Sequence, residues 1–121
     1  MSRADELNRV LQRLQYDSPG VEASALISED GLMIASVLSS GMDEARVAGM
    51  TATLLNLGSR AAVELSRGGL REVIVRGEHG YIVLVNAIRG ALLLAVTNER
   101  AKLGITLFDM REAVRALSKV L

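Results

Sequence analysis

Residues 43–67 read DEARVAGMTATLLNLGSRAAVELSR, and this stretch decides the fold because its apolar side chains outrun what one helix face can bury. Asp43 is a helix N-cap, its carboxylate suited to the unpaired N–H groups of a first turn. At about 100° per residue, Arg46, Thr53, Asn56, Arg60 and Glu64 share a wedge of only about 80°. One flank of the remaining circumference carries Val47, Met50, Leu54, Leu57, Ala61 and Leu65. The other carries Ala48, Ala52, Leu55, Ser59, Ala62 and Val63. A helix lying on one sheet needs an apolar stripe of roughly 100° or somewhat more. Here the stripe is about twice that, so the spacing predicts a second surface supplied by another molecule. A two-fold dimer answers this simply, since the same helix on two subunits can pack against itself. The expected interface is the small flank, Ala48, Ala52, Leu55, Ser59 and Ala62, which lets two backbones approach closely. Arg71, Val73 and Val75 of the next strand adjoin it.

Working outward, Leu7, Val10, Leu11 and Leu14 have the i, i+3, i+4, i+7 spacing of an amphipathic helix over residues 3–15. Ser2 and Asp5 form a capping box at its start, and Pro19-Gly20 prevent its continuation. Val21–Ser28 and Leu32–Val37 read as strands joined at Glu29-Asp30-Gly31, a hairpin turn of the Asp-Gly type. Beyond Gly68-Gly69, Leu70–Arg76, Tyr81–Ala87 and Ala91–Thr97 are separated by turns too short for anything except antiparallel neighbours. The last two are continuous apolar runs, which requires cover on both sheet faces. The first is broken by Arg71, Glu72 and Arg76, the charge pattern of an edge strand. Asn98 is expected to cap a final helix whose stripe is Leu103, Leu107, Met110, Val114, Leu117 and Leu121. The expected fold class is α/β (α+β), an α-β-β-α-β-β-β-α sandwich with a five-stranded, mostly antiparallel sheet between helices.

Composition narrows the function classes. The chain has 121 residues, half of them hydrophobic, which suits one domain over 1–121 with a real core. Fourteen basic residues balance fourteen acidic ones, so nucleic acid is not the expected partner. Cysteine is absent, which excludes disulfides, thiolate metal sites and a Cys nucleophile. The longest uncharged stretches, Val47–Ser59 and Gly31–Met42, fall short of the ~20 apolar residues of a membrane span. Membrane insertion is therefore not expected. The charged N-terminus does not read as a signal peptide, and the expected location is cytoplasmic. Tyr16, Tyr81 and Phe108 are the only aromatic residues, too few for stacking platforms.

Catalytic chemistry finds little support. His79, the one histidine, sits in a Gly-flanked turn with Glu78, which is a solvated turn rather than a constellation. Glu29 and Asp30 are explained by turn formation, and no EF-hand spacing is present. Ser24, Ser28 and Ser36 lack an adjacent base and read as ordinary strand residues. No G-x-x-x-x-G-K-[ST] run exists, and Gly77-Glu78-His79-Gly80 lies between strands, where it cannot build a helix-terminus phosphate site. Arg60, Arg67, Arg71, Arg76 and Arg89 are interleaved with Glu64, Glu72 and Glu78 as mutually compensating surface charge. Met33, Met42, Met50 and Met110 are core or helix-edge fillers, with Met50 suited to an adaptable interface. No enzyme activity, metal or cofactor is expected.

The series of segments resembles the Roadblock/LC7 domain family, its bacterial and archaeal members in particular. The similarity rests on Gly20–Ser36 (GVEASALISEDGLMIAS), on Leu65-Ser66-Arg67-Gly68-Gly69 closing the Ala/Leu-rich helix, on Gly80-Tyr81-Ile82-Val83-Leu84, and on Lys102-Leu103-Gly104. The resemblance implies a profilin-like α/β/α sandwich that dimerises through its central helix and the following edge strand. It also implies a non-enzymatic platform. Many prokaryotic members regulate a separately encoded Ras-like small GTPase, so that GTPase and a second copy of the chain are the expected partners. A competing expectation is a small-ligand sensor of the PAS or profilin-like kind, whose sheet would enclose an apolar pocket with a few polar groups.

Overall fold

A computed structural model describes all residues from Met1 to Leu121. Helix α1 spans Arg3–Asp17, strand β1 Val21–Ser28, β2 Met33–Val37, helix α2 Glu44–Glu64, strands β3 Glu72–Gly77, β4 Gly80–Asn86 and β5 Ala91–Thr97, and helix α3 Leu103–Ser118. The five strands form one sheet in the order β2-β1-β5-β4-β3, and every neighbouring pair is antiparallel. The sheet is thus wholly rather than mostly antiparallel. β3 lies at one edge, as its charges predict, and β2 at the other.

Alternation along each strand sends successive side chains to opposite faces. Leu26, Val83, Val85, Leu93 and Ala95 form the larger core with Leu7, Leu11 and Leu14 of α1 and Met110 and Leu117 of α3. Ala25, Ile27, Leu84 and Leu94 point the other way, where they meet Ala48 of α2. α1 and α3 therefore share one face, and α2 alone covers the second. This division is why β1, β4 and β5 are apolar without interruption.

The ends of the elements follow local chemistry. Ser2 and Asp5 form the expected capping box at distances of 3.1 and 3.4 Å. Gly80 adopts φ 138°, and a Cβ there would collide with the Thr97 carbonyl oxygen, so the β3–β4 turn closes only with glycine. Two expectations need correction. Asn98 does not cap α3: its Oδ1 accepts from the Arg100 N–H at 2.9 Å, forming a turn, and Lys102 occupies the N-cap without a side-chain bond. The Asn98 N–H is itself committed to Gly20 O at 2.8 Å, which ties this turn to the start of β1 and delays the helix. α2 ends at Glu64 rather than near Arg67, because Ser66 turns left-handed at φ 59° and the Arg67 N–H reaches back to Ala62 O at 2.6 Å.

Candidate protein–protein interface

Helix α2 is held at its start by Asp43, which accepts from the Arg46 N–H at 3.3 Å, and by Ser36 of β2, whose Oγ donates to Glu44 Oε1 at 2.6 Å. Towards its end it presses on β3. Gly58 sits so close that a Cβ would lie 2.9 Å from Val73 Cγ2. α2 therefore runs across the sheet from the β2 edge to the β3 edge.

The sheet buries little of it. Of 21 residues only Ala48 and Thr51 are buried. Met50 is 58% exposed, Leu57 63% and Leu65 70%, and Ala61 between them is exposed too. Met50, Leu54, Leu57 and Ala61 follow steps of four, three and four, the spacing of a helix–helix seam. Val63 is a further exposed apolar side chain, towards the opposite side of the polar wedge.

The structure reverses part of the expected interface. Ala48 is turned onto the molecule's own sheet at 2% exposure and is removed from any contact with a second chain. Ala52, Leu55, Ser59 and Ala62 are half-buried on the same side of the helix. The small flank is the one that admits the sheet, since Ala48 and Gly58 let the backbone settle close to β1 and β3. The bulkier flank of Met50, Leu57, Ala61 and Leu65 is left outside. Its seam spacing was visible in the sequence, but both flanks were apolar and only the close approach at Gly58 selects between them. On β3, Val73 is half-buried beneath α2, while Arg71 and Val75 are exposed. Val75 and its pairing partner Ile82 extend the apolar surface on the α2 side of the sheet. One side of β3 has no neighbouring strand, so half of its backbone N–H and C=O groups are open to pairing.

Elsewhere, polar residues singled out from the sequence do structural work. Ser24 Oγ is buried and donates to Gln15 Oε1 at 2.7 Å, tying α1 to β1. Ser28 Oγ accepts from the Leu32 N–H inside the hairpin, and Ser36 anchors α2. His79 does have a partner, though not Glu78: its Nδ1 lies 2.9 Å from Glu99 Oε1, with both side chains exposed. No three His, Cys, Asp or Glu side chains converge as a metal site would require. No helix is long and apolar enough to cross a membrane. The largest cleft, about 730 Å³, lies outside the core, where Leu55, Asn56 and Ser59 of α2 meet the β1–β2 turn residues Glu29 and Asp30. Both sheet faces that a ligand-enclosing version of this architecture would hollow out are filled by helix side chains.

A three-helix, five-stranded sandwich with one poorly covered helix beside an open sheet edge defines a class of small interaction domains. Residues 7–97 match the Roadblock/LC7 domain model, and the chain belongs to that family. An uncharacterized protein of Methanocaldococcus jannaschii, MJ1340, is 31% identical over 111 residues, spanning 92% of this chain and 96% of that protein. Among solved structures, Myxococcus xanthus MglB superposes with a TM-score of 0.87 at 19% identity, covering 95% of this chain and 94% of MglB. A Roadblock/LC7 domain from Streptomyces avermitilis gives 0.86 at 19% identity, covering 93% and 94%. At these identities the two superpositions speak to the fold.

Proposed function

We propose that the chain is a non-enzymatic, cytoplasmic regulatory module that acts as a homodimer and binds a separately encoded Ras-like small GTPase. The observation that carries this reading is the exposed apolar flank of α2 beside the unpaired edge of β3. In the proposed dimer, β3 pairs with its symmetry mate to make a ten-stranded sheet, and Met50, Leu57, Ala61 and Leu65 pack against the same residues of the second copy. Arg71 and Val75 lie along the paired edge. Burying one leucine-sized side chain stabilises by about 1.5–3 kcal/mol, so four such positions on each copy are an adequate driving force. Family membership and the backbone likeness to MglB support the regulatory role. The GTPase follows from what the family resemblance implies.

Light scattering on a size-exclusion column tests the assembly. The expected mass is about twice 12.9 kDa, persisting on dilution, and Leu57→Glu is expected to yield a folded monomer. A wild-type monomer at every concentration would overturn the dimer, as would a Leu57→Glu variant that remains dimeric. For the GTPase, each Ras-like protein of the same organism is titrated against the wild-type chain, with nucleotide hydrolysis followed in parallel. Failure of all of them to bind would overturn that part alone.

A further inference from the structure

The face opposite α2 carries a second unpartnered surface. Phe108, the only phenylalanine in the chain, is 63% exposed on α3, and Ile105 one turn earlier is 47% exposed. Ile74 of β3 is 40% exposed and shares its sheet face with Glu72, two residues back along the strand. Arg111 Nη2 lies 3.3 Å from Glu72 Oε2, which fixes α3 beside β3. α3 begins where β5 ends and runs back towards the start of β3, so Phe108 and Ile74 are both displaced from this ion pair in the same direction. The apolar residues therefore lie side by side at one end of the surface.

The other end is cationic. Arg71, Arg111 and Arg115 line a cleft of about 400 Å³ with Val85 and Val114 among its other lining residues. Arg111 is paired with Glu72, and Arg115 with Glu112 at 2.9 Å, but Arg71 has no carboxylate within ion-pair distance. Three guanidiniums thus face two carboxylates, on a chain whose formal charge is zero. Guanidinium groups in this number favour carboxylates, which they can hold through two parallel hydrogen bonds. An exposed aromatic beside arginines is also the composition of an interface anchor.

We propose that this α3–β3 surface docks an acidic polypeptide segment carrying an aromatic or aliphatic anchor, its carboxylates on Arg71, Arg111 and Arg115 and its anchor on Phe108 and Ile74. The surface belongs to one protomer and lies on the opposite sheet face from α2, so it does not depend on the proposed dimer. The probe is a fluorescent random copolymer of glutamate and tyrosine, titrated against the full chain by anisotropy and mapped by amide NMR shifts. Binding is expected, with shifts at Ile74, Phe108 and Arg111. Phe108→Ala and Arg115→Glu are each expected to weaken it about tenfold, the scale of losing one anchor. Both side chains are exposed, so an unchanged Tm shows that the variants remain folded. A Leu57→Glu monomer is expected to bind as wild type does, which separates this result from the fate of the α2 interface. The proposal is overturned by no binding, by shifts confined to α2, by indifference to both substitutions, or by equal binding of a lysine–tyrosine copolymer. Binding to phosphatidylglycerol vesicles with none to the copolymer would overturn it in favour of a lipid surface.

Discussion

Gly80 shows how much one residue can decide. Its φ of 138° and the nearby Thr97 carbonyl leave no room for a methyl group. Gly80→Ala is expected to destabilise the protein by about 3 kcal/mol or more, since strain in the turn adds to a backbone collision; urea denaturation followed by circular dichroism measures it. Ser24 is a gentler case. Its Oγ is buried between α1 and β1, where it donates to Gln15 and lies 3.3 Å from Leu11 O. Ser24→Ala is expected to cost about 1 kcal/mol by the same measurement, the net worth of an ordinary hydrogen bond.

At the scale of elements, α2 is tied down at its start and pressed onto β3 near its end, with little burial between. Asp43→Ala removes the acceptor for the Arg46 N–H and is expected to cost about 1 kcal/mol, read as a lower urea midpoint. Much of this architecture is legible from residue order. The stripes of α1 and α3 have a single phase, and the β3–β4–β5 meander follows from turns too short to do anything else. The charged edge strand is equally plain. The orientation of α2 is not legible, because two flanks of similar hydropathy leave the phase undetermined. It is settled by Gly58 approaching Val73, a contact between residues from different elements. Asn98 misleads for a related reason: an Asn before a helical stripe suits a cap, yet its backbone is already committed to Gly20 on a distant strand. The partnership of His79 with Glu99 likewise joins two turns that only the folded sheet brings together.

Over the whole molecule, the two helical layers are unequal. α1 and α3 complete a well-filled core, whereas α2 leaves half of itself in solvent. A fold whose second layer is finished by another copy should melt at a temperature that depends on its own concentration. Scanning calorimetry across a hundredfold concentration range is expected to show Tm rising with concentration for the wild type and staying flat for Leu57→Glu. A flat wild-type profile would mean that α2 contributes no association energy.

The two sheet edges differ in a way that bears on how far association can go. A sheet with two open, regular edges invites head-to-tail growth into a fibre. β3 is regular over six residues and paired in unbroken register with β4. β2 has only five residues, its register slips where Leu26 gives way to Ile27 on β1, and its Ser36 is drawn to α2. A short, kinked margin is a poor template for another strand. Growth through β3 would therefore terminate once its counterpart is met, giving a finite particle in place of a polymer.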